Sequence, residues 1–184
     1  MTELPFMAQE SKEFQMLLEA MAGSKLILEI GTCRDGTLYR FMREADDKAI
    51  FISIDMPGGK YGGELGQPDE TEMQSWKRPG QTLHIIREDS HADQTLKKVK
   101  ALLKKRKFDF ALIDGDHTYE GVKKDFEMYG PLVKGMVAFH DICHHPNFPD
   151  VGVEKFWNEL EGEKIEIIND PNQGWAGIGV IINN

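Results

Sequence analysis

Two kinds of apolar pattern alternate along this chain. Leu26–Ile30, Ala49–Ile54, Leu83–Arg87, Phe108–Ile113 and Met136–Phe139 are short, largely apolar runs. Runs of that length predict strands buried on both faces, as in a parallel sheet. Between them, apolar residues return every three or four positions. Phe14, Leu17, Leu18 and Met21 predict a helix over Ser11–Met21, and Leu38, Phe41 and Met42 one over Thr37–Ala45. The same spacing predicts helices over Asp93–Lys104, Tyr119–Tyr129 and Val153–Leu160. Ile165–Ile168 and Ile178–Ile182 close the chain with no helical pattern between them, so they should pair antiparallel as a hairpin-like edge. The expectation is an α/β fold: a doubly wound, mostly parallel seven-stranded sheet, its last strand antiparallel, with helices on both faces. We expect one domain over residues 1–184, with an N-terminal helical segment over 1–24. A Gly/Pro-rich loop over 56–80 has no clear periodicity, and a loop that long inside a domain is usually functional.

Composition narrows the function classes. A formal net charge of −9 argues against a general nucleic-acid binder, which needs a basic face to displace counterions. The basic run Lys97–Lys107 carries Val99 and Leu103 at helical spacing, and its lysines read as a solvated helix face. No apolar run approaches the length of a membrane span, and the N-terminus lacks a secretory pattern. Cys33 and Cys143 are the only cysteines, which fits a reducing cytoplasm. Nothing in the pattern decides against a homo-oligomer.

The chemistry collects where strands end. Phe108–Ile113 runs into Asp114-Gly115-Asp116-His117, and Met136–Phe139 into His140-Asp141. Open α/β sheets bind ligands beyond the carboxyl ends of their strands, so these groups should share a crevice that holds a metal or moves a proton. A competing reading makes the first cluster a turn whose Asp caps the next helix, and Asp116 suits that better. The first strand enters Glu29-Ile30-Gly31-Thr32-Cys33-Arg34-Asp35-Gly36 and then a helix. Glycines there let backbone amides approach a ligand. Cys33 occupies the middle-glycine position of a dinucleotide loop, which favours a ligand without pyrophosphate over NAD. Asp55, ending the second strand, can accept both hydroxyls of a ribose. Asp89-Ser90, after the third, could reach an adenine edge or cap the following helix.

Taken together, these residues resemble a class I S-adenosylmethionine-dependent methyltransferase. More narrowly, the chain is similar to the small bacterial group related to the cephalosporin hydroxylase and macrolide-sugar O-methyltransferase families. The likeness runs from about Leu26 to Val180 and takes in Pro57-Gly58-Gly59 with Tyr61-Gly62-Gly63, and Pro171-Asn172-Gln173-Gly174-Trp175. It implies a Rossmann-like fold and S-adenosylmethionine as cofactor. Glu29, Gly31, Thr32 and Gly36 would belong to the cofactor site, with the loop from Gly31 to Gly36 along the methionine part. Asp55 would hold the ribose, Asp89 and Ser90 the adenine, and Asp114 would also touch the cofactor. In the metal-dependent relatives, the positions equivalent to Asp114, His140 and Asp141 hold a divalent metal, Mg or Mn. In the sugar-methylating relatives a His three residues after the first ligand is the general base; the resemblance implies that role for His117 here, with Asp114 beside it as catalytic.

Methyl transfer to a hydroxyl asks for these groups. The acceptor oxygen loses its proton as it attacks the sulfonium methyl, and a neutral His suits that transfer. His140 departs from the pattern, since Mg prefers oxygen ligands. His144 and His145 are expected as exposed loop residues, with extra metal ligands as the other option. Trp76 and Trp175 are candidate walls of an acceptor pocket, and Trp157 is expected in the core. The leading expectation is O-methylation of a small hydroxylated molecule, a sugar or secondary metabolite. Two alternatives stand beside it: a metal-dependent hydrolase or oxygenase in the same crevice, and a non-catalytic S-adenosylmethionine-binding module.

Overall fold

The structure, a computed structural model, describes residues 11–33, 36–58, 69–170 and 172–183. The elements follow in the order α1 (Ser11–Met21), β1 (Leu26–Ile30), α2 (Thr37–Glu44), β2 (Ile50–Ile54), α3 (Glu70–Ser75) and β3 (Thr82–Ile86). After these come α4 (Asp93–Leu103), β4 (Phe108–Ile113), α5 (Tyr119–Tyr129), β5 (Val133–His140), α6 (Val153–Glu159), β6 (Glu163–Ile167) and β7 (Ile178–Ile182). The seven strands form one sheet in the order β3-β2-β1-β4-β5-β7-β6. β1 to β5 pair in parallel, and β7 runs antiparallel to both of its neighbours. The doubly wound, mostly parallel sheet with an antiparallel last strand is therefore present. The hairpin-like edge needs refining: β7 inserts between β5 and β6, so β6 alone forms the edge.

Each face of the sheet carries three helices. Val99 and Leu103 of α4, Val122 and Tyr129 of α5, and Phe156 and Trp157 of α6 pack with Leu28, Ile30, Ala111 and Val137. On the other face α1, α2 and α3 bring Phe14, Leu17, Phe41, Met42 and Met73 against Ile27, Phe51, Phe110 and Leu112. Successive strand residues point to opposite faces, so two covered faces require nearly continuous apolar strands. Each fully buried side chain of this size is worth about 1.5–3 kcal/mol.

The loop expected over 56–80 is partly helical. Asp69 caps α3, its side chain accepting from the Thr71 N–H at 2.8 Å, and Met73 is buried beneath it. Six residues are too short for a period to stand out in sequence. Trp76 follows, only 6% exposed, edge-on to Tyr39, so it is a core residue and not a wall of an acceptor pocket. The tyrosine and glycines at 61–63 lie outside the described residues. Strand β5 is longer than expected at its start, because Val133 pairs with Phe108 ahead of the apolar run.

One tie has no counterpart in the apolar pattern. Glu13 of α1 is buried and accepts from Asn169 N at 2.7 Å, Gln173 Nε2 at 2.9 Å and Gly177 N at 3.0 Å. A helix near the start of the chain thereby holds the loop that enters β7. Glu13→Ala strands the buried Gly177 N–H, and a buried donor left unmet costs about 1–3 kcal/mol. The expected outcome is a urea midpoint lowered by a stability loss of at least about 2 kcal/mol, with far-UV circular dichroism unchanged; an unaltered midpoint would contradict this role.

Candidate active site

The sheet changes direction of winding between β1 and β4, and the ends of these strands make the site. Gly31 has φ +90°, and a Cβ placed on it would lie 2.0 Å from the Asp114 carbonyl oxygen. Gly31 N donates to Ile54 O at 2.9 Å, and Asp114 N to Ile30 O at 2.8 Å. Only glycine allows that approach. Beyond it lies a crevice of about 300 Å³, lined by Gly31, Cys33, Asp55, Met56, Glu88 to His91 and Asp114 to Asp116, with Thr118 at its edge. Gly31, Asp55, Asp89, Ser90 and Asp114 are thus brought together, as the strand-end argument required.

Cys33, in the middle-glycine position, adopts φ +48°, the left-handed conformation for which glycine is ordinarily used. Its N–H donates to Asp55 Oδ2 at 2.6 Å, so the loop and the carboxylate fix each other. Asp89 and Ser90 do not cap α4, whose N-cap is Ala92. Asp89 Oδ1 accepts instead from His91 N at 2.8 Å, within its own turn. Asp116 takes the turn role: its Oδ1 accepts from Thr118 N at 3.0 Å, and Thr118 caps α5.

Three of the expected cofactor residues, Glu29, Thr32 and Gly36, are not among the described residues that line this crevice. Glu29 and Thr32 are buried, with Thr32 Oγ1 donating to Glu29 Oε2 at 2.8 Å and lying 2.6 Å from Ser53 Oγ. Strand alternation turns Glu29 to the α1–α3 face, away from the crevice mouth. Gly36 is the buried N-cap of α2 and is not among the crevice-lining residues.

On the β5 side, side chains converge on Asp141. Its Oδ2 is 2.7 Å from His117 Nδ1, while its Oδ1 is 3.3 Å from His140 Nδ1 and 3.1 Å from His145 Nε2. Asp114 Oδ1 stands 3.4 Å from His117 Nε2 and 3.5 Å from His140 Nδ1. Burial works to raise the Asp141 carboxyl. Hydrogen bonds from His117 and His145, with the charge of His140, overcome it and hold the group well below the usual carboxylate range. Burial likewise works to lower His117, but Asp141 and Asp114 prevail and its imidazole titrates above the ordinary value. Asp141 has φ +66°, strained for a non-glycine residue and held there by its partners.

His145, expected first as an exposed loop residue, instead joins the Asp141 cluster. It is buried, its Nδ1 2.7 Å from the Cys143 carbonyl, and its hydrogen bond to Asp141 raises it above the ordinary imidazole value. His144 is exposed, as expected, and pairs with Glu154 at 3.0 Å. Trp157 lies in the core, and Trp175 is 44% exposed on the turn before β7. A spacing of four outside a helix carries no sequence signal for the His145 contact.

The expected metal set of Asp114, His140 and Asp141 does not fit this arrangement. Among the described residues no group of three or more His, Cys, Asp or Glu side chains is arranged to hold a metal ion. The physical reason is that both Asp141 oxygens already meet imidazole nitrogens.

Comparison with known proteins agrees with this geometry. A family model described as "Methyltransferase domain" matches residues 28–142, more than half of the chain. No curated protein matches the sequence. Among solved structures, the chain is similar to an O-methyltransferase from Bacillus cereus in complex with S-adenosylhomocysteine, at TM-score 0.64 and 17% identity over 98% of this chain and 84% of that one. It is also similar to the O-methyltransferase TomG from Streptomyces achromogenes, involved in tomaymycin synthesis and solved with S-adenosylmethionine, at TM-score 0.61 and 16% identity over 100% and 84%. The N-methyltransferase NodS from Bradyrhizobium japonicum matches at TM-score 0.59 and 12% identity over 94% of each chain. Among the described residues no helix is long and apolar enough to cross a membrane. With its family model running from within β1 past the end of β5 and its crevice at the strand reversal, the chain belongs to the methyltransferase-domain family.

Proposed function

We propose that this protein is an O-methyltransferase acting on a small, hydroxylated, uncharged acceptor, with His117 as general base. The observation that carries the reading is the His117 Nδ1–Asp141 Oδ2 pair at 2.7 Å, beside the crevice. Folds of this kind serve O- and N-methylation alike, as the similarity to NodS illustrates, so the atom methylated must be argued from the site. An amine can attack as a neutral nucleophile, whereas a hydroxyl must lose its proton, and a carboxylate-held imidazole answers that need.

In the reaction, Asp141 accepts from Nδ1 of neutral His117, so Nε2 is the nitrogen that takes up the acceptor proton, and the Asp114 carbonyl and carboxylate oxygens, each 3.4 Å from Nε2, stabilise the imidazolium that results. The acceptor oxygen forms its bond to the methyl carbon as the carbon–sulfur bond breaks. The acceptor proton passes to Nε2, and S-adenosylhomocysteine leaves neutral. Asp55 would accept from the ribose hydroxyls, with Asp89 and Ser90 at the adenine end and Gly31 along the methionine part. No step is assigned to a divalent metal, whose candidate ligands are spent on one another.

The acceptor side is formed by the loops 142–152 and 168–177. They bond to each other through Cys143 N and Ala176 O at 2.9 Å, and Gly152 N donates to His117 O at 2.8 Å. Neither loop contains Lys or Arg, which favours an uncharged sugar or secondary metabolite over a phosphorylated acceptor. Exposed Trp175 and Phe148 supply apolar walls. A chain with only two cysteines is in keeping with a cytoplasmic enzyme.

Saturating S-adenosylhomocysteine should raise the melting temperature by about 5–10 °C, since ligand at a hundred times its Kd adds about 2.7 kcal/mol; an unmoved transition would count against the cofactor site. With a panel of sugars and phenols as acceptors, His117→Ala should lower kcat by about 100-fold or more while leaving S-adenosylhomocysteine affinity intact. Because the His117 imidazole is raised, the base stays protonated to a higher pH than usual, so kcat/KM should fall on the acid side with an apparent pKa above 6.5. Asp141→Asn removes the main hydrogen bond that raises it, and should shift that acid limb to lower pH. An acid limb that stays in place in Asp141→Asn would argue for another base.

A further inference from the structure

The turn between β3 and α4 carries a crevice residue with no role in the reading above. His91 lines the crevice beside Asp89 and Ser90 and is held from behind by α5. Gly121, Asp125 and Tyr129 follow one another at successive turns on the buried face of that helix. Gly121 O lies 3.2 Å from His91 Nε2, and Asp125 Oδ1 lies 3.3 Å from the same nitrogen. Tyr129 donates its hydroxyl hydrogen to Ser90 O at 2.7 Å. One helix face thus grips the turn at three points.

Two acceptors on one ring nitrogen favour the tautomer in which Nε2 carries a hydrogen. Asp125 is fully buried, and burying a carboxylate is costly unless it is paired. His91 supplies that pairing. The two nitrogens of an imidazole point in divergent directions, so a ring with Nε2 set against α5 turns its Nδ1 edge away from that helix.

We propose that His91 is a cofactor-specificity residue, donating a hydrogen bond from Nδ1 to a ring nitrogen of the adenine, and that Asp125 is a positioning residue acting through it. The Asp125 carboxylate beside Nε2 raises the His91 imidazole above its ordinary value, burial works against this, and the charge of Asp89 adds to the rise while Lys124 opposes it. Glu88 and Asp116 are the other charged groups of this part of the crevice. The rise extends to higher pH the range over which both nitrogens are donors. The inference rests on the crevice being the S-adenosylmethionine site.

Calorimetric titration of S-adenosylhomocysteine into the full chain, from pH 6 to 9, tests it. The donor is present below the raised imidazole pKa and lost as pH rises through it, so wild-type affinity should fall about tenfold or more across the range, the worth of one charge-assisted hydrogen bond. His91→Gln keeps an amide donor that does not titrate, and should bind with an affinity nearly independent of pH. Asp125→Asn should weaken binding at pH 6 and move the fall to lower pH, and its melting temperature reports whether it stays folded. If it does not fold, His91→Gln alone decides. The proposal is overturned if His91→Gln keeps the wild-type pH dependence, or if folded Asp125→Asn matches wild type in affinity and profile. Wild-type protein that binds no S-adenosylhomocysteine at any pH overturns the cofactor reading itself, and this inference with it.

Discussion

The approach of Gly31 to Asp114 is the constraint on which the site depends. At the point where strand order reverses, β1 and β4 lie side by side, and their ends must meet before the chain turns to opposite faces of the sheet. Backbone meets backbone there with no room for a Cβ. That contact puts the turn after β1 and the acidic end of β4 on two sides of one crevice. Two groups with different tasks, the cofactor loop and the Asp114 cluster, become neighbours because one residue lacks a side chain.

The second organising centre is a charge. Asp141 draws His117, His140 and His145 around a single carboxylate at the end of β5. A buried carboxylate is costly alone, and here hydrogen bonds overcome the burial. The same bonds hold its backbone at φ +66°. Asp125 repeats the device on α5, where a buried carboxylate orients a crevice histidine. In both places a carboxylate sets which imidazole nitrogen carries hydrogen, and hence what the ring can do toward a ligand.

Much of the fold was legible because two covered faces impose a strong pattern on strands and helices. Five of the helices and all seven strands stand within a few residues of where periodicity puts them. What escaped lies below the length at which a period can be recognised, as in α3, or depends on backbone pairing, as in the early start of β5. The crevice residues Gly31, Asp55, Asp89, Ser90 and Asp114 were legible because a parallel strand ends where its apolar run ends. Glu29 and Thr32 stand apart from the crevice lining, because nearness in sequence to a cofactor loop says nothing about which face of the sheet a side chain takes.

The amino-acid sequence by itself determined the order of strands and helices, the covered sheet and the strand ends at which chemistry collects, because burial and periodicity act locally along the chain. Tertiary structure decided the partners. It brought Glu13 to the loop before β7, His145 to Asp141 and Asp125 to His91, across separations of 164, 4 and 34 residues that carry no periodic signal. It also set three imidazoles around Asp141. Hydrogen bonds and ion pairs depend on distances of about 3 Å between particular atoms, and those distances exist only once the sheet has brought remote parts of the chain together.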